Sequence, residues 1–237
     1  IIGDSVADLQ IFAGLRNVLI GSMVGRSYAS LTNSIFIGRN IAESQITSSR
    51  NIAIGDSLLD AIGIGTQNIV MGFKSARGLT NGSRNVYLGN KVGELNSSGS
   101  NNVAIGDSLM DADPSAASKN VVLGALSGRM FSTAQRNVLL GYRVGTSITS
   151  GVSNIVLGDS SMDLFSMTGS NNIIVGSRSG RSLTSGQRNI FVGYMVGGGN
   201  FIGSSNIAIG DSTLDGSLSG SLNIVIGTKN GRSITTG

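Results

Sequence analysis

Apolar and polar positions along this chain fall into one five-residue unit that returns from end to end: Asn, an aliphatic residue, a variable apolar residue, a second aliphatic residue, Gly. It reads NVLIG, NIAIG, NIVMG, NVYLG, NVVLG and NIFVG in copies along the chain, and its fourteen glycines run from Gly3 and Gly21 to Gly210 and Gly227 at intervals of 17 or 18 residues. The first aliphatic position is β-branched (Val18, Ile35, Ile52, Ile69) and the run is bounded by Asn and Gly, which predicts a strand and not a helix. A second apolar position follows three residues after the glycine (Val24, Ile41, Leu58, Val92, Leu109, Val144, Val196). A weaker third follows at seven (Tyr28, Leu79, Phe131, Ile148, Leu183, Ile234). Gly, Ser, Thr and Asn fill the corners. One such unit cannot bury its own apolar face, whereas stacked copies share a continuous core. The expected architecture is all-β: a parallel β-solenoid, or β-roll, of about fourteen 17-residue coils, with 1–237 as a single repeat domain.

The Asn ahead of each strand strengthens the stacking argument. Asn17, Asn51, Asn68, Asn85, Asn102 and their counterparts hold that column, with Ser34 the one substitute in a complete unit. An Asn tolerates turn geometry, and its amide can bond the copies above and below to form a ladder. Two matches to the glycosylation sequon, at Asn81 and Asn96, fall outside that column and carry little weight in so Ser- and Asn-rich a chain.

A longer period is superposed, because GDSxxD units recur every third copy, 51 or 52 residues apart. This admits a second reading, a 51-residue coil with three units as its sides. The column five residues after Gly discriminates: Asp8, Arg26, Glu43, Asp60, Arg77, Glu94, Asp111, Arg129, Thr146, Asp163, Arg181, Gly198, Asp215, Arg232. In 17-residue coils these residues stack at ~4.8 Å, so each Arg lies beside an acid. In 51-residue coils Asp would stack on Asp and Arg on Arg. The short coil is favoured, and the charged column is read as an exposed ladder that fixes register, each pair worth roughly 0–1 kcal/mol.

The variable position in the middle of the strand runs Leu19, Phe36, Ala53, Val70, Tyr87, Ala104, Val122, Leu139, Val156, Ile174, Phe191, Ala208, Val225. If the flanking aliphatics face the core, alternation turns this column outward. An apolar stripe of that length facing outward must be covered, which predicts an oligomer interface. Where the column holds Ala, the position four after Gly holds Leu59, Met110 or Leu214; where it holds Phe or Leu, that position is usually Gly or Ala. Such volume matching suits a shared interface. It also counts in part for the 51-residue coil.

Composition limits the chemistry. The block Gly-Asp-Ser-Leu at 55–58 reads like the nucleophile motif of an esterase, but the chain has no His to take the serine proton. The block also recurs five times, beginning at Gly3, Gly55, Gly106, Gly158 and Gly210, and a repeated feature is architecture. No enzyme activity is expected, and no catalytic, cofactor-binding or metal-binding residue is read. Calcium solenoids need a Gly-Gly-x-Gly-x-Asp nonapeptide, which is missing. Ice-binding solenoids need a regular Thr array, and the threonines here (Thr80, Thr149, Thr184, Thr235) are interrupted. There is no Cys, so no disulfide framework, and no apolar run of the roughly 18–20 residues that a membrane span requires. The net charge of +4 comes from isolated Arg and Lys and not from a basic tract, so nucleic acid is not an expected partner. The chain opens on IIG and stops at ITTG, inside repeat units, which reads as part of a longer fibrous protein.

At NNVAIGDSLM and NIAIGDSLLD the repeat resembles the head repeats of trimeric autotransporter adhesins. With SLTSGQRN between units and 17-residue spacing, it is still more similar to the repeat arrays of bacteriophage tail fibres. The resemblance covers the whole chain, and departures from the adhesin pattern in coil length and super-period favour the viral fibre. It implies a homotrimer of parallel β-rolls whose strands line the trimer axis, with Ala53, Ala104, Ala208 and their column mates facing it. The function implied is the structural shaft of a viral tail fibre in host attachment, located in the virion. The alternative is the head of a bacterial cell-surface adhesin binding host matrix or glycan. Partners implied are its own copies, other fibre or tail proteins, and a host-surface glycan or protein.

Overall fold

The computed structural model describes residues 1–6, 14–26, 30–44, 47–61, 63, 65–111, 116–199, 202–216, 219–232 and 234. They fold as two compact units, Ile1–Lys119 and Asn120–Gly237, built of the same repeat. Asp8 and Tyr28 lie outside the described residues.

In the first unit the strands are β1 (Ile2–Asp4), β2 (Val18–Val24), β3 (Ser30–Thr32), β4 (Ile35–Ile41), β5 (Thr47–Ser49), β6 (Ile52–Asp56), β7 (Ile69–Phe73), β8 (Val86–Asn90) and β9 (Val103–Asp107). The repeat strands pair in parallel in the order β1-β2-β4-β6-β7-β8-β9, and β3 pairs with β5 as a short second sheet. The second unit has β10 (Val121–Ala125), β11 (Val138–Tyr142), β12 (Ile155–Asp159), β13 (Ile173–Val175), β14 (Ile190–Tyr194), β15 (Ile207–Asp211) and β16 (Ile224–Ile226), paired in parallel in chain order. Among the described residues there is no α-helix.

Register settles the coil length. Gly55 pairs with Gly72, Gly72 with Gly89 and Gly89 with Gly106. In the second unit Leu139 pairs with Val156, Val156 with Ile174, and Ile174 with Phe191. Each turn therefore takes 17 or 18 residues, and the 51-residue coil is excluded. The corners are bonded coil to coil as well: Ile69 N donates to Asn85 O at 2.8 Å, Ala76 N to Val92 O at 3.0 Å and Arg84 N to Thr66 O at 3.0 Å. Stacking thus satisfies backbone groups that a surface loop would leave to water.

The interior overturns one expectation. The middle-strand column lies inside its own coil: Leu19, Phe36, Ala53, Val70, Tyr87, Ala104, Val122, Leu139, Val156, Ile174, Phe191, Ala208 and Val225 are all buried within the single chain. It cannot line an oligomer axis. Val24, Ile41, Leu58, Val92, Leu109, Val144 and Val196 share that core, as do Leu79, Phe131, Ile148 and Leu183. The volume matching seen in the sequence is real but acts within a coil. Leu59, Met110 and Leu214 are buried in the same coils as Ala53, Ala104 and Ala208. Where the column holds Phe191 the matching position is Gly197, and a Cβ there would run into the Phe191 ring.

The Asn column decides the orientation. Asn51, Asn68, Asn85 and Asn102 in the first unit and Asn120, Asn137, Asn154, Asn172, Asn189 and Asn206 in the second are buried. Asn68 Nδ2 donates to Gly82 O at 3.0 Å within its coil, and Asn68 Oδ1 accepts from Asn85 N at 2.9 Å in the next. An Asn so placed needs an interior position, and the middle column, two residues on, shares its side of the strand. At the break Ser34 keeps the relay going: its N donates to Asn17 Oδ1 at 2.9 Å and its Oγ accepts from Asn51 N at 3.2 Å. A second ladder was not read from the sequence. Ser75, Ser127 and Ser179 occupy the apolar position three after Gly, and each is buried. Ser75 Oγ donates to Gly89 O at 3.0 Å and accepts from Val92 N at 3.1 Å. Because its hydroxyl is satisfied on both sides, Ser can alternate with Val there.

Candidate assembly face

With the middle column turned inward, the flanking aliphatics form the outer surface of the sheet. In the first unit they are Val18, Ile35, Ile52, Ile69, Val86 and Val103 in one column and Ile20, Ile37, Ile54, Met71, Leu88 and Ile105 in the other, none of them buried. In the second unit Val121, Val138, Ile155, Ile173, Ile190, Ile207 and Ile224 run beside Leu123, Leu140, Leu157, Val175, Val192, Ile209 and Ile226, again none buried. Leu140 is 46% exposed and Ile155 40%. Exposed aromatics at the strand ends, Phe73, Tyr142 and Tyr194, widen this face in their coils. Exposed large apolar residues scattered singly are ordinary, but two unbroken columns along a sheet are not.

The charged column is largely as expected. Arg77 sits between acids of neighbouring coils, its Nη2 3.2 Å from Asp60 Oδ2 and its Nη1 3.4 Å from Glu94 Oε1. Arg181 Nε donates to Asp163 Oδ1 at 3.0 Å, and Arg232 Nη2 to Asp215 Oδ2 at 3.3 Å. Of the other members, Arg26, Glu43 and Asp111 are half-buried and Arg129 is exposed. Two relationships were missed. Arg143, from a different column, approaches Asp163 Oδ2 at 3.7 Å, and the Asp163 side chain is only 1% exposed. Arg39 Nη2 donates to Asp56 Oδ2 at 2.6 Å. That bond, with a second from the Ser57 hydroxyl, holds the Asp56 carboxyl below its ordinary range.

Four of the five Gly-Asp-Ser blocks share one geometry. Ser57 Oγ donates to Asp56 Oδ1 at 2.8 Å, Ser108 to Asp107 at 2.7 Å, and Ser160 to Asp159 and Ser212 to Asp211 at 2.8 Å each. Every one of these serines has a left-handed φ, from 50° to 58°. Each hydroxyl is bonded to the carboxylate of the residue before it, at a corner repeated in four coils. That is turn geometry.

Among the described residues no group of three or more His, Cys, Asp or Glu could hold a metal ion. No helix there is long and apolar enough to cross a membrane. No family model matches this chain, and neither does any curated protein or solved structure with which it was compared.

Proposed function

We propose that this chain is structural: the shaft of a homotrimeric viral tail fibre that serves host attachment, its copies packed in parallel through the outer aliphatic face. The carrying observation is that face, two columns of unburied Val, Ile, Leu and Met on the same strands whose middle residues fill the core. Its apolar positions repeat at the strand spacing of ~4.8 Å. The partner that matches such a pitch coil for coil is another copy of the same chain. A shaft also asks for what the repeat provides: rigidity from coil-to-coil bonds at strands and corners, and a length set by repeat number.

Light scattering on the purified chain tests this. A mass of three chains is the expected result, with the apolar face protected from solvent in hydrogen–deuterium exchange. A monodisperse monomer whose apolar face exchanges as an open surface would overturn the proposal.

A further inference from the structure

In each unit one column of bases stands clear of any acid. The column immediately before the ladder Asn carries Arg16, Arg50, Arg84 and Lys119 in the first unit and Arg136 and Arg188 in the second, all exposed, and not one acid. A second acid-free column, two residues after the repeat glycine, carries Lys74, Lys91, Arg143, Arg178 and Lys229, but it follows directly on the aspartates of the Gly-Asp-Ser blocks. What looks scattered in sequence is, in the first unit, a strip on the folded surface formed by Arg16, Arg50, Arg84 and Lys119.

In the first unit the strip is strictly ordered. Successive coils present Arg16, Asn33, Arg50, Gln67, Arg84, Asn101 and Lys119, so that a cation alternates with an amide. Cations therefore recur every second coil, about 9.6 Å apart from the strand spacing. The amides help hold them: Arg84 Nε donates to Asn101 Oδ1 at 2.8 Å, which ties the guanidinium along the row. Beside the strip, one residue earlier in each coil, runs a row of hydroxyls that includes Thr66, Ser83 and Ser100. Their oxygens accept from the coil before, Ser83 Oγ from Thr66 N at 3.0 Å and Ser100 Oγ from Ser83 N at 3.0 Å. Next to that row a shallow groove opens, lined by Ser30, Thr32, Thr47, Ser49 and Thr66.

We infer that this strip binds a linear acidic polysaccharide along the first unit. Cations at a fixed pitch suit anionic groups at a similar pitch, and a spacing of about 9.6 Å is close to one charge per disaccharide of an extended glycan. Amides and hydroxyls between and beside the cations can exchange hydrogen bonds with sugar hydroxyls. Single-stranded nucleic acid fits less well. Its phosphates are far closer together, and the strip offers no aromatic platform for bases. The inference does not depend on fibre assembly, since it concerns the surface of one chain.

The test is titration of the intact protein with hyaluronan oligosaccharides, one carboxylate per disaccharide, with neutral dextran and single-stranded oligonucleotides as comparison probes. Hyaluronan should bind at low salt with an affinity that falls log-linearly as salt rises, dextran should not, and the oligonucleotide should bind more weakly. Arg50→Gln with Arg84→Gln should weaken hyaluronan about tenfold or more, since both anionic contacts are lost. Arg136→Gln with Arg188→Gln in the second unit, and Lys74→Gln with Lys91→Gln in another column of the first, should each leave the affinity within about twofold. The inference fails if hyaluronan does not bind at low salt, or if the two control pairs weaken it as much as the strip pair does. Tighter binding of the oligonucleotide would reassign the strip to nucleic acid and overturn it as well. Circular dichroism on every variant confirms that the fold is kept, because these side chains are exposed.

Discussion

Leu139 and Leu140 are covalent neighbours on opposite sides of one strand: Leu139 is 0% exposed and Leu140 46%. An Asp at each position separates folding from assembly. Leu139→Asp places an unpartnered carboxylate in the core and should prevent the native β signal in circular dichroism, at any concentration. Leu140→Asp should fold normally and shift the mass measured by light scattering to that of a monomer. A folded Leu139→Asp variant would refute the inward orientation of the column.

Buried and exposed ion pairs should differ in what they contribute. Asp163 is held by Arg181 at 3.0 Å and Arg143 at 3.7 Å, with its side chain 1% exposed. Arg181→Gln leaves that carboxylate poorly compensated and should cost about 3 kcal/mol in urea unfolding. Arg77 is 39% exposed between Asp60 and Glu94, and Arg77→Gln should cost about 0–1 kcal/mol. Equal costs would show that burial is not what distinguishes the two sites.

The amide ladder should be worth more than its size suggests. Asn85 Oδ1 accepts from Asn102 N at 2.9 Å, and Asn85 Nδ2 donates to Gly99 O at 2.9 Å. Asn85→Ala orphans both partners in the interior and should destabilise the protein by about 2–4 kcal/mol. Asn85→Ser should recover a good part of that, because Ser34 already serves as an acceptor in the same column. Denaturant midpoints check the order, and faster exchange at the Asn102 amide would locate the damage.

Tyr87 gives the fold an alkaline limit. Burial raises its phenol above the ordinary value, and Asn96 Nδ2 donates to its oxygen at 3.1 Å. With the folded value raised, the neutral phenol's contribution is complete below about pH 10, the unfolded value, and is lost as pH rises above it. Wild-type stability should therefore fall as pH rises above about 10. Tyr87→Phe should flatten that fall at a cost of about 1 kcal/mol at neutral pH, for the hydrogen bond removed. An unchanged alkaline limb in the variant would exclude Tyr87 as its cause.

The repeat, its length, the parallel stack and the Asp60–Arg77–Glu94 ladder are all legible in the sequence. Each is a statement about residues at one fixed spacing, and a solenoid turns spacing directly into contact. Which side of the strand faces inward was not settled by hydrophobicity, because Ile52, Ala53 and Ile54 are all apolar and alternation alone is silent about direction. The clue was present in Asn51, which needs an enclosed site for its amide and shares a side with Ala53. Its weight becomes visible only when Gly65 O and Asn68 N close around it.

Relations between different columns lay beyond sequence reading for the same reason. Arg143 and Asp163 are 20 residues apart, a separation outside the repeat, and only the path of the corners brings them together. The cation strip is the opposite case: every one of its residues was visible, but Arg16, Arg50, Arg84 and Lys119 become one feature only once the coils of the first unit stack and set them in line. By itself the sequence determined the period, and hence the fold. Tertiary structure decided which apolar column is core and which is surface, because that choice depends on closing the coil around the polar groups it must satisfy.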